Sequence, residues 1–388
     1  MTGTDDRIFP LDVVRGAAVL GMALLTAGAI ALPASVNLHP GLAGEGSTAR
    51  LLWLATFVFL DGKMLGLFAI LFGASALLVI DRAEMEGRDG FAVQGRRLLW
   101  LLPIGAVHYL LLWSGDCLIL LAAGGLIALR FAGREPLDLA KWALAFFALH
   151  LLILASGATL SFLTTSQAAY AEMLQKALVH DMALYRSGYG AIAHARLAAA
   201  PEHVAALVQM LPETLGFMLL GMAMAMGGFF TGQWSREQYA RTARHAYLVG
   251  AVSVLLLGIW ALLSDDLRIH NGLIAALAFP LGIPITIGHA ALVMLIANRP
   301  NIGALTRRVA AVGRTALSNY LLCSIVLTTI FYGYGLGRYA QLGRITLFGV
   351  ALGLCALMLL WSPHWLQRFG AGPAERMWHA LRRIGAAQ

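Results

Sequence analysis

Charge is what this sequence has least of. Only 12% of its 388 residues are Asp, Glu, Lys or Arg, against about 25% in soluble domains, which excludes an ordinary water-soluble globule. Cysteine is scarce too. Cys117, Cys323 and Cys355 lie in or beside apolar runs without metal-ligand spacing, so they read as small membrane-buried side chains rather than a disulfide frame or a metal site. No metal is expected. There is no Gly-rich phosphate loop, and the 42 glycines are dispersed through apolar runs, as in membrane helices. Acidic residues are outnumbered, giving a formal net charge of +8. In a soluble protein that would suggest nucleic acid; here it reflects Lys and Arg gathered in loops on one side of a membrane, and no nucleic-acid partner is expected.

What is present is apolar sequence: 59% of residues are hydrophobic and the mean hydropathy is +0.75. The expected fold is all-α, a single polytopic membrane bundle over 1–388. Runs long enough to cross a hydrocarbon core fall at about 10–32, 51–80, 98–114, 117–132, 142–163, 208–230, 245–263, 272–296, 314–332 and 345–363. The second run is over-long and is expected to be tilted or broken near Gly73. The first does not read as a cleaved signal, because it contains charges and is followed by more spans. Lys and Arg outside the runs concentrate in the amino-terminal tail, the even-numbered connections and the carboxyl tail. By the positive-inside rule both termini are cytoplasmic, as ten spans require. The longest connection, 164–207, then lies outside, and its helical periodicity suggests amphipathic helices on the outer surface.

The stretch Arg7–Leu25 places Asp12 and Arg15 three residues apart on one helical face of the first run. A charge in hydrocarbon costs at least about 2.5–3.5 kcal/mol on insertion scales, so the pair is either a packing device or part of a polar site. Other polar groups reach membrane depth: Lys63 near the middle of the second run, His108 in the outer half of the third, Asp116 at its outer mouth, and Ser318 and Asn319 in the inner part of the ninth. Each has a structural reading. Lys63 could snorkel, His108 could be a neutral interhelical donor, Asp116 could cap the fourth helix, and Ser318 and Asn319 are common interhelical glue. His289 has a weaker case, with no charged neighbour in sequence. Together these charges point to a polar cavity inside the bundle, with His108 the best general base among them.

The motifs form an ordered series: Leu11-Asp12-Val-Val-Arg15-Gly16, Gly62-Lys63-Met-Leu-Gly-Leu-Phe, Arg96-Arg97-Leu, Gly105-Ala-Val-His108, Trp113-Ser-Gly115-Asp116, Tyr185-Arg186-Ser-Gly188, Gly313-Arg314-Thr-Ala-Leu-Ser318-Asn319-Tyr320 and Gly372-Pro373-Ala-Glu375. Over nearly its whole length the chain resembles the YeiB-like membrane proteins, the family of domain of unknown function 418. Their opening motif is similar to that of transmembrane acyltransferases such as the heparan glucosaminide acetyltransferases and sugar O-acyltransferases. That resemblance implies a donor acyl-CoA, acetyl-CoA foremost, with Arg15 at the donor phosphates or shaping the inner vestibule and His108 as base or acyl relay. The O-acyltransferase branch has a histidine eleven residues after the arginine, where this chain has Thr26. Its chemistry cannot be copied onto the first span and must move to His108, with Asp116 fixing its tautomer or binding the acceptor. Eight residues separate those two, about 12 Å along a helix, so contact requires the chain to fold back at Gly115.

The leading expectation is therefore an acyltransferase of the bacterial inner membrane. His108 and Asp116 would be catalytic; Asp12, Arg15, Lys63, Arg314, Ser318 and Asn319 would form the donor side. The expected partners are the bilayer and a small-molecule, sugar or lipid acceptor, with a homodimer left open. The rival is a transporter using the same charges. Catalysis calls for a tunnel open to both faces, transport for a closed central pocket.

Overall fold

A computed structural model of the chain describes residues 8–38 and 46–383. Arg7 and the terminal tails, which enter the charge count above, lie outside the described residues. Among those described, every regular element is helical. In chain order they are α1 (Phe9–Ala31), α2 (Ala34–Leu38), α3 (Ser47–Phe59), α4 (Lys63–Met85), α5 (Gly90–Val107), α6 (Leu118–Ala128), α7 (Pro136–Thr164), α8 (Gln167–Tyr185), α9 (Tyr189–Ala198), α10 (Ala200–Met226), α11 (Arg236–Ala246), α12 (Val252–Leu263), α13 (Ala275–Ala297), α14 (Ala304–Arg314), α15 (Ala316–Phe331), α16 (Arg344–Phe369) and α17 (Pro373–Arg383). A π-helical turn, His108–Leu112, extends α5. Local signals set the starts. α1, α7 and α10 carry proline in the first turn, where a missing N–H leaves no bond unmade, and α11 opens on a capping box of Ser235 and Gln238.

Among the described residues seven helical stretches are each long and apolar enough to cross a membrane, and an eighth is gained if the pair α14–α15, bent by 83°, counts as one span. Leu118–Phe131 is a shorter apolar helix. α7 leaves Leu144, Leu152 and Leu160 exposed; at eight-residue spacing each is turned about 80° from the last, so the apolar surface spreads around the helix, as suits lipid rather than water. The chain is a helical membrane bundle. Residues 164–207 fold as α8, α9 and the first turns of α10.

The largest buried cluster joins α1, α4, α6, α7, α10 and α13, and a second joins α1 to α15 and α16. α1 is the hub, packed against α4, α13, α14, α15 and α16. Two of its closest approaches need glycine. A Cβ on Gly16 would collide with the Val309 carbonyl, and one on Gly313 with the Asp12 carbonyl, so α1 and α14 meet backbone to backbone. Gly73 and Gly221 do the same where α4 crosses α10, each facing a carbonyl of the other helix. Of the two alternatives, tilt or a break near Gly73, the break does not occur there, since α4 is continuous through Gly73. The interruption lies at Leu60–Gly62, where Gly62 takes φ +73°, a conformation open to glycine at little steric cost.

Candidate functional site

A cavity of about 720 Å³ runs between α1, α4, α5, α15 and α17, a size ordinary for binding small molecules. Its α1 wall is a single stripe from Ile8 through Asp12, Arg15, Val19 and Met22 to Thr26. Eighteen residues at about 1.5 Å each give roughly 27 Å, close to the hydrocarbon thickness of a bilayer. One end is rich in cations: Arg15, Arg82, Arg88, Arg97 and Arg314 line it, against the carboxylates Asp12, Asp81 and Glu375. The far end is mostly apolar and contains Thr26, Cys323 and Ser324.

The arginines are held in different ways. Arg15 Nη1 lies 2.9 Å from Asp12 Oδ1, and its Nη2 donates to Ser75 Oγ on α4 at 3.0 Å. The packing role of the pair is thus real, and both residues also face the cavity. Glu86 pairs with both Arg82 and Arg88. These two bonds hold its carboxyl below the usual range. Arg97 lies with its guanidinium over the Trp378 ring, 5.2 Å from its centre, and Trp378 Nε1 donates to the Arg97 carbonyl at 3.0 Å. Arg314 Nη2 reaches the Gly370 carbonyl at 3.4 Å, while its Nε is buried with no hydrogen-bond partner. A buried charged donor left in that state favours an anion arriving beside it.

The other sequence candidates near this end are structural in their contacts. Asn319 donates to Thr315 Oγ1 at 2.9 Å and Ser362 Oγ at 3.2 Å, and accepts from Trp361 Nε1 at 2.9 Å, tying α15 to α16. Ser318 donates to Glu375, whose other oxygen accepts the Leu317 and Ser318 N–H groups at 2.8 and 3.2 Å. Glu375 thereby satisfies the orphan donors at the start of α15 and docks α17 there.

His108 and Asp116 are brought together. α5 ends in the π-helical turn, whose last bond runs from Trp113 N–H to the His108 carbonyl at 3.0 Å, and the chain then doubles back. Two glycines permit the return: a Cβ on Gly115 would strike the Trp113 ring, and one on Gly105 would lie 3.0 Å from Asp116 Oδ2 and 2.8 Å from the Ile119 nitrogen. Asp116 Oδ2 accepts the Ile119 N–H at 2.8 Å, giving α6 a cap. Its Oδ1 lies 2.9 Å from His108 Nδ1, close but poorly aligned for a hydrogen bond. Both readings of Asp116 therefore coexist.

Sequence reasoning missed the third member. His108 Nε2 is 2.8 Å from Ser324 Oγ on α15. His108 and Ser324 are each 1% exposed and Asp116 5%, and Ser324 lines the cavity while His108 sits behind it. Tyr320, one turn before Ser324, packs against the His108 ring at 4.8 Å between centres, tilted by 38°, and accepts the Cys117 N–H at 3.3 Å. Nothing in the sequence marked Ser324, a serine in an apolar helix 216 residues from its partner.

The opposite side of this group is covered. Tyr189 and Arg196 of α9 donate to the Leu111 and Leu110 carbonyls at 3.1 and 3.2 Å, meeting acceptors freed where the π-helical turn ends. The cavity lining includes no residue of α8 or α9, so the cavity is not continued past His108 by those two helices.

Lys63 and His289 belong elsewhere. Lys63 does not line the cavity; its Nζ donates to the Phe57 carbonyl at 2.7 Å, with Asp61 and Glu213 as its charged neighbours. His289 bonds Tyr247 and the Phe59 carbonyl, both at 2.6 Å, and His150 Nε2 stands 3.3 Å from Glu213. The polar groups thus divide into two clusters rather than one column. No group of residues suited to holding a metal ion occurs among the described residues.

No solved structure matches the chain. The family profile "Protein of unknown function (DUF418)" matches residues 224–384. The chain is 31% identical over 392 residues to "Uncharacterized protein YeiB" of Escherichia coli (strain K12), with 98% of each chain covered. It is 26% identical over 404 residues to "Uncharacterized protein YxaH" of Bacillus subtilis (strain 168), covering 98% of this chain and 95% of that one. With a profile match across its carboxyl-terminal part and end-to-end similarity to bacterial relatives, this multi-pass helical membrane protein belongs to the YeiB-like DUF418 family.

Proposed function

We propose that the protein is an acyltransferase of the bacterial inner membrane that takes an acyl group from acyl-CoA and passes it to a hydroxyl or amine acceptor. The observation that carries this reading is the cavity itself: one space with arginines at its mouth and an apolar interior that ends at Ser324, backed by His108 and Asp116. Its polarity follows that of an acyl-CoA, whose phosphates suit guanidinium groups and whose acyl chain suits an apolar channel. In this assignment α5 with its π-helical turn, α6 and the bent α14–α15 pair are counted as spans beside the seven long stretches, and ten spans with both termini cytoplasmic put the arginine mouth on the CoA-bearing side. The stripe along α1 then carries the thioester about 27 Å inward, across most of the hydrocarbon.

His108 is the general base. With its Nδ1–H turned to Asp116, Nε2 is an acceptor and takes a proton from an attacking hydroxyl. The acceptor, a sugar, lipid or other small molecule, reaches the acyl group from the side covered by α8 and α9. Arg15 and Arg314 face the donor phosphates, whereas Lys63 lies outside the donor site.

The test is to incubate the purified protein with labelled acetyl-CoA and follow binding, hydrolysis and transfer. Binding with release of CoA, lost in His108→Ala, is the expected result. Absence of both binding and turnover, with His108→Ala fully active in cells, refutes the assignment.

A further inference from the structure

Ser324 has a geometry that the general-base reading does not use. The residue lines the cavity, its Oγ is 2.8 Å from His108 Nε2, and the opposite ring nitrogen is 2.9 Å from Asp116 Oδ1. The three side chains come from α15, the end of α5 and the return before α6, and all are buried. A serine in an apolar helix ordinarily bonds a carbonyl of its own preceding turn; Thr328 and Thr329 on the same helix do so, both to the Ile325 carbonyl, whereas the hydroxyl of Ser324 is matched to the imidazole. The order hydroxyl, imidazole, carboxylate is the arrangement that activates a serine nucleophile on unrelated folds, where it is recognised by geometry rather than by sequence position.

We infer that Ser324 is a nucleophile and that the acyl group passes through an ester on its hydroxyl. The inference rests on the acyltransferase reading and makes the reaction two-step. In the first step Ser324 Oγ attacks the thioester carbonyl and its proton passes to His108 Nε2. The C–S bond then breaks, and the departing CoA sulfur takes that proton, leaving acyl-Ser324 and free CoA thiol. In the second step His108 removes the proton of the acceptor hydroxyl or amine, which attacks the ester carbonyl. The C–O bond to Ser324 breaks and Oγ recovers the proton from His108. No oxidant, metal or further reactant is required. The arrangement also fits a cavity that α8 and α9 do not continue past His108: the donor unloads from the arginine end and withdraws before the acceptor arrives, so both need not occupy one continuous tunnel.

The experiment uses full-length purified protein, with acetyl-CoA and octanoyl-CoA as probes. After acid quenching without acceptor, the expected species is protein heavier by one acyl group, mapping to the peptide that contains Ser324. Ser324→Ala should lose this adduct and at least about 100-fold in CoA release. Ser324→Cys should keep an acyl adduct as a thioester, cleavable by hydroxylamine at neutral pH. Thermal unfolding of the three proteins separates a misfolded variant from an inactive one, and the wild-type adduct needs no variant. If the acyl-CoAs bind and are consumed but Ser324→Ala works at the wild-type rate, the covalent step is refuted while the acyltransferase stands. If neither acyl-CoA binds nor reacts, the acyltransferase reading falls and takes this step with it.

Discussion

Replacing Asp116 by Asn and by Ala separates its two jobs. Oδ2 caps α6 through the Ile119 N–H at 2.8 Å, and Oδ1 stands 2.9 Å from His108 Nδ1. Asn keeps an oxygen for the cap but presents an NH₂ to the imidazole. That group donates, so Nδ1 must accept and the ring proton moves to Nε2. Nε2 then donates to Ser324 instead of accepting from it, and the base is lost. Elsewhere the same tautomer inversion costs about 10⁴-fold in turnover with geometry intact. Asp116→Ala loses the carboxylate and the cap together, the cap alone being worth about 1 kcal/mol. The expected pattern is loss of acyl transfer in both variants, with a lowered unfolding temperature in Asp116→Ala only. Acyl transfer from labelled acetyl-CoA and thermal unfolding in the same detergent measure the two effects. Near wild-type turnover in Asp116→Asn beside an unstable Asp116→Ala would make Asp116 a helix cap and nothing more.

Other expectations follow from the same contacts. Arg314→Ala removes a charged donor from the cavity mouth; a charge-assisted bond of about 1.5–3 kcal/mol corresponds to roughly 10- to 150-fold weaker acetyl-CoA binding, whereas Lys63→Met, outside the cavity, should leave that affinity unchanged. Equilibrium dialysis distinguishes them, and equal losses would mean that the cavity is not the donor site. Glu375→Ala strips the acceptor from the Leu317 and Ser318 N–H groups. At about 1–3 kcal/mol per buried group left unpaired, it should destabilise the α15–α17 contact and speed proteolysis within α17; an unchanged digestion profile contradicts the docking role. Gly73→Leu forces a side chain into the Met218 backbone, an overpacking worth about 1–3 kcal/mol, and should cut folded yield, while the same change at Gly349, which has open space around it, should not.

The sequence revealed groups whose meaning is local and concealed those whose meaning is not. Apolar runs announced the helices because length and composition suffice. Asp12 and Arg15 were legible as a pair because three residues place them on one face. His108 and Asp116 required a fold-back, and the need for one at Gly115 could be stated, but the room made by Gly105 depends on α6 being beside it. Lys63 was expected with Arg15 because depth was all the sequence offered. Which side of a helix faces which neighbour depends on packing, and the break at Gly62 turns Lys63 towards the Phe57 carbonyl. Gly73 and Gly62 were likewise indistinguishable as letters; one marks a helix crossing and the other a positive φ.

Thr26 joins the two halves of the functional argument. The sugar O-acyltransferases, which the opening motif resembles, place a histidine eleven residues after their arginine. Here the threonine hydroxyl is spent on the Met22 carbonyl at 2.8 Å, so it offers the site neither a base nor a relay. Its side chain nevertheless lines the far end of the cavity, the end that also holds Cys323 and Ser324. The cavity thus reaches Thr26 on α1 and Ser324 on α15 at the same end, and behind Ser324 stands the imidazole of His108, carried by the end of α5. If the chemistry has changed walls in this way, restoring histidine on α1 is informative. Thr26→His in an otherwise inactive Ser324→Ala background would regain part of the CoA release through the new imidazole. It would form no ester, and any acyl group trapped would sit on position 26. A double variant that remains as inactive as Ser324→Ala, while folded and still binding acetyl-CoA, would mean that the far end of the cavity cannot seat the thioester against α1.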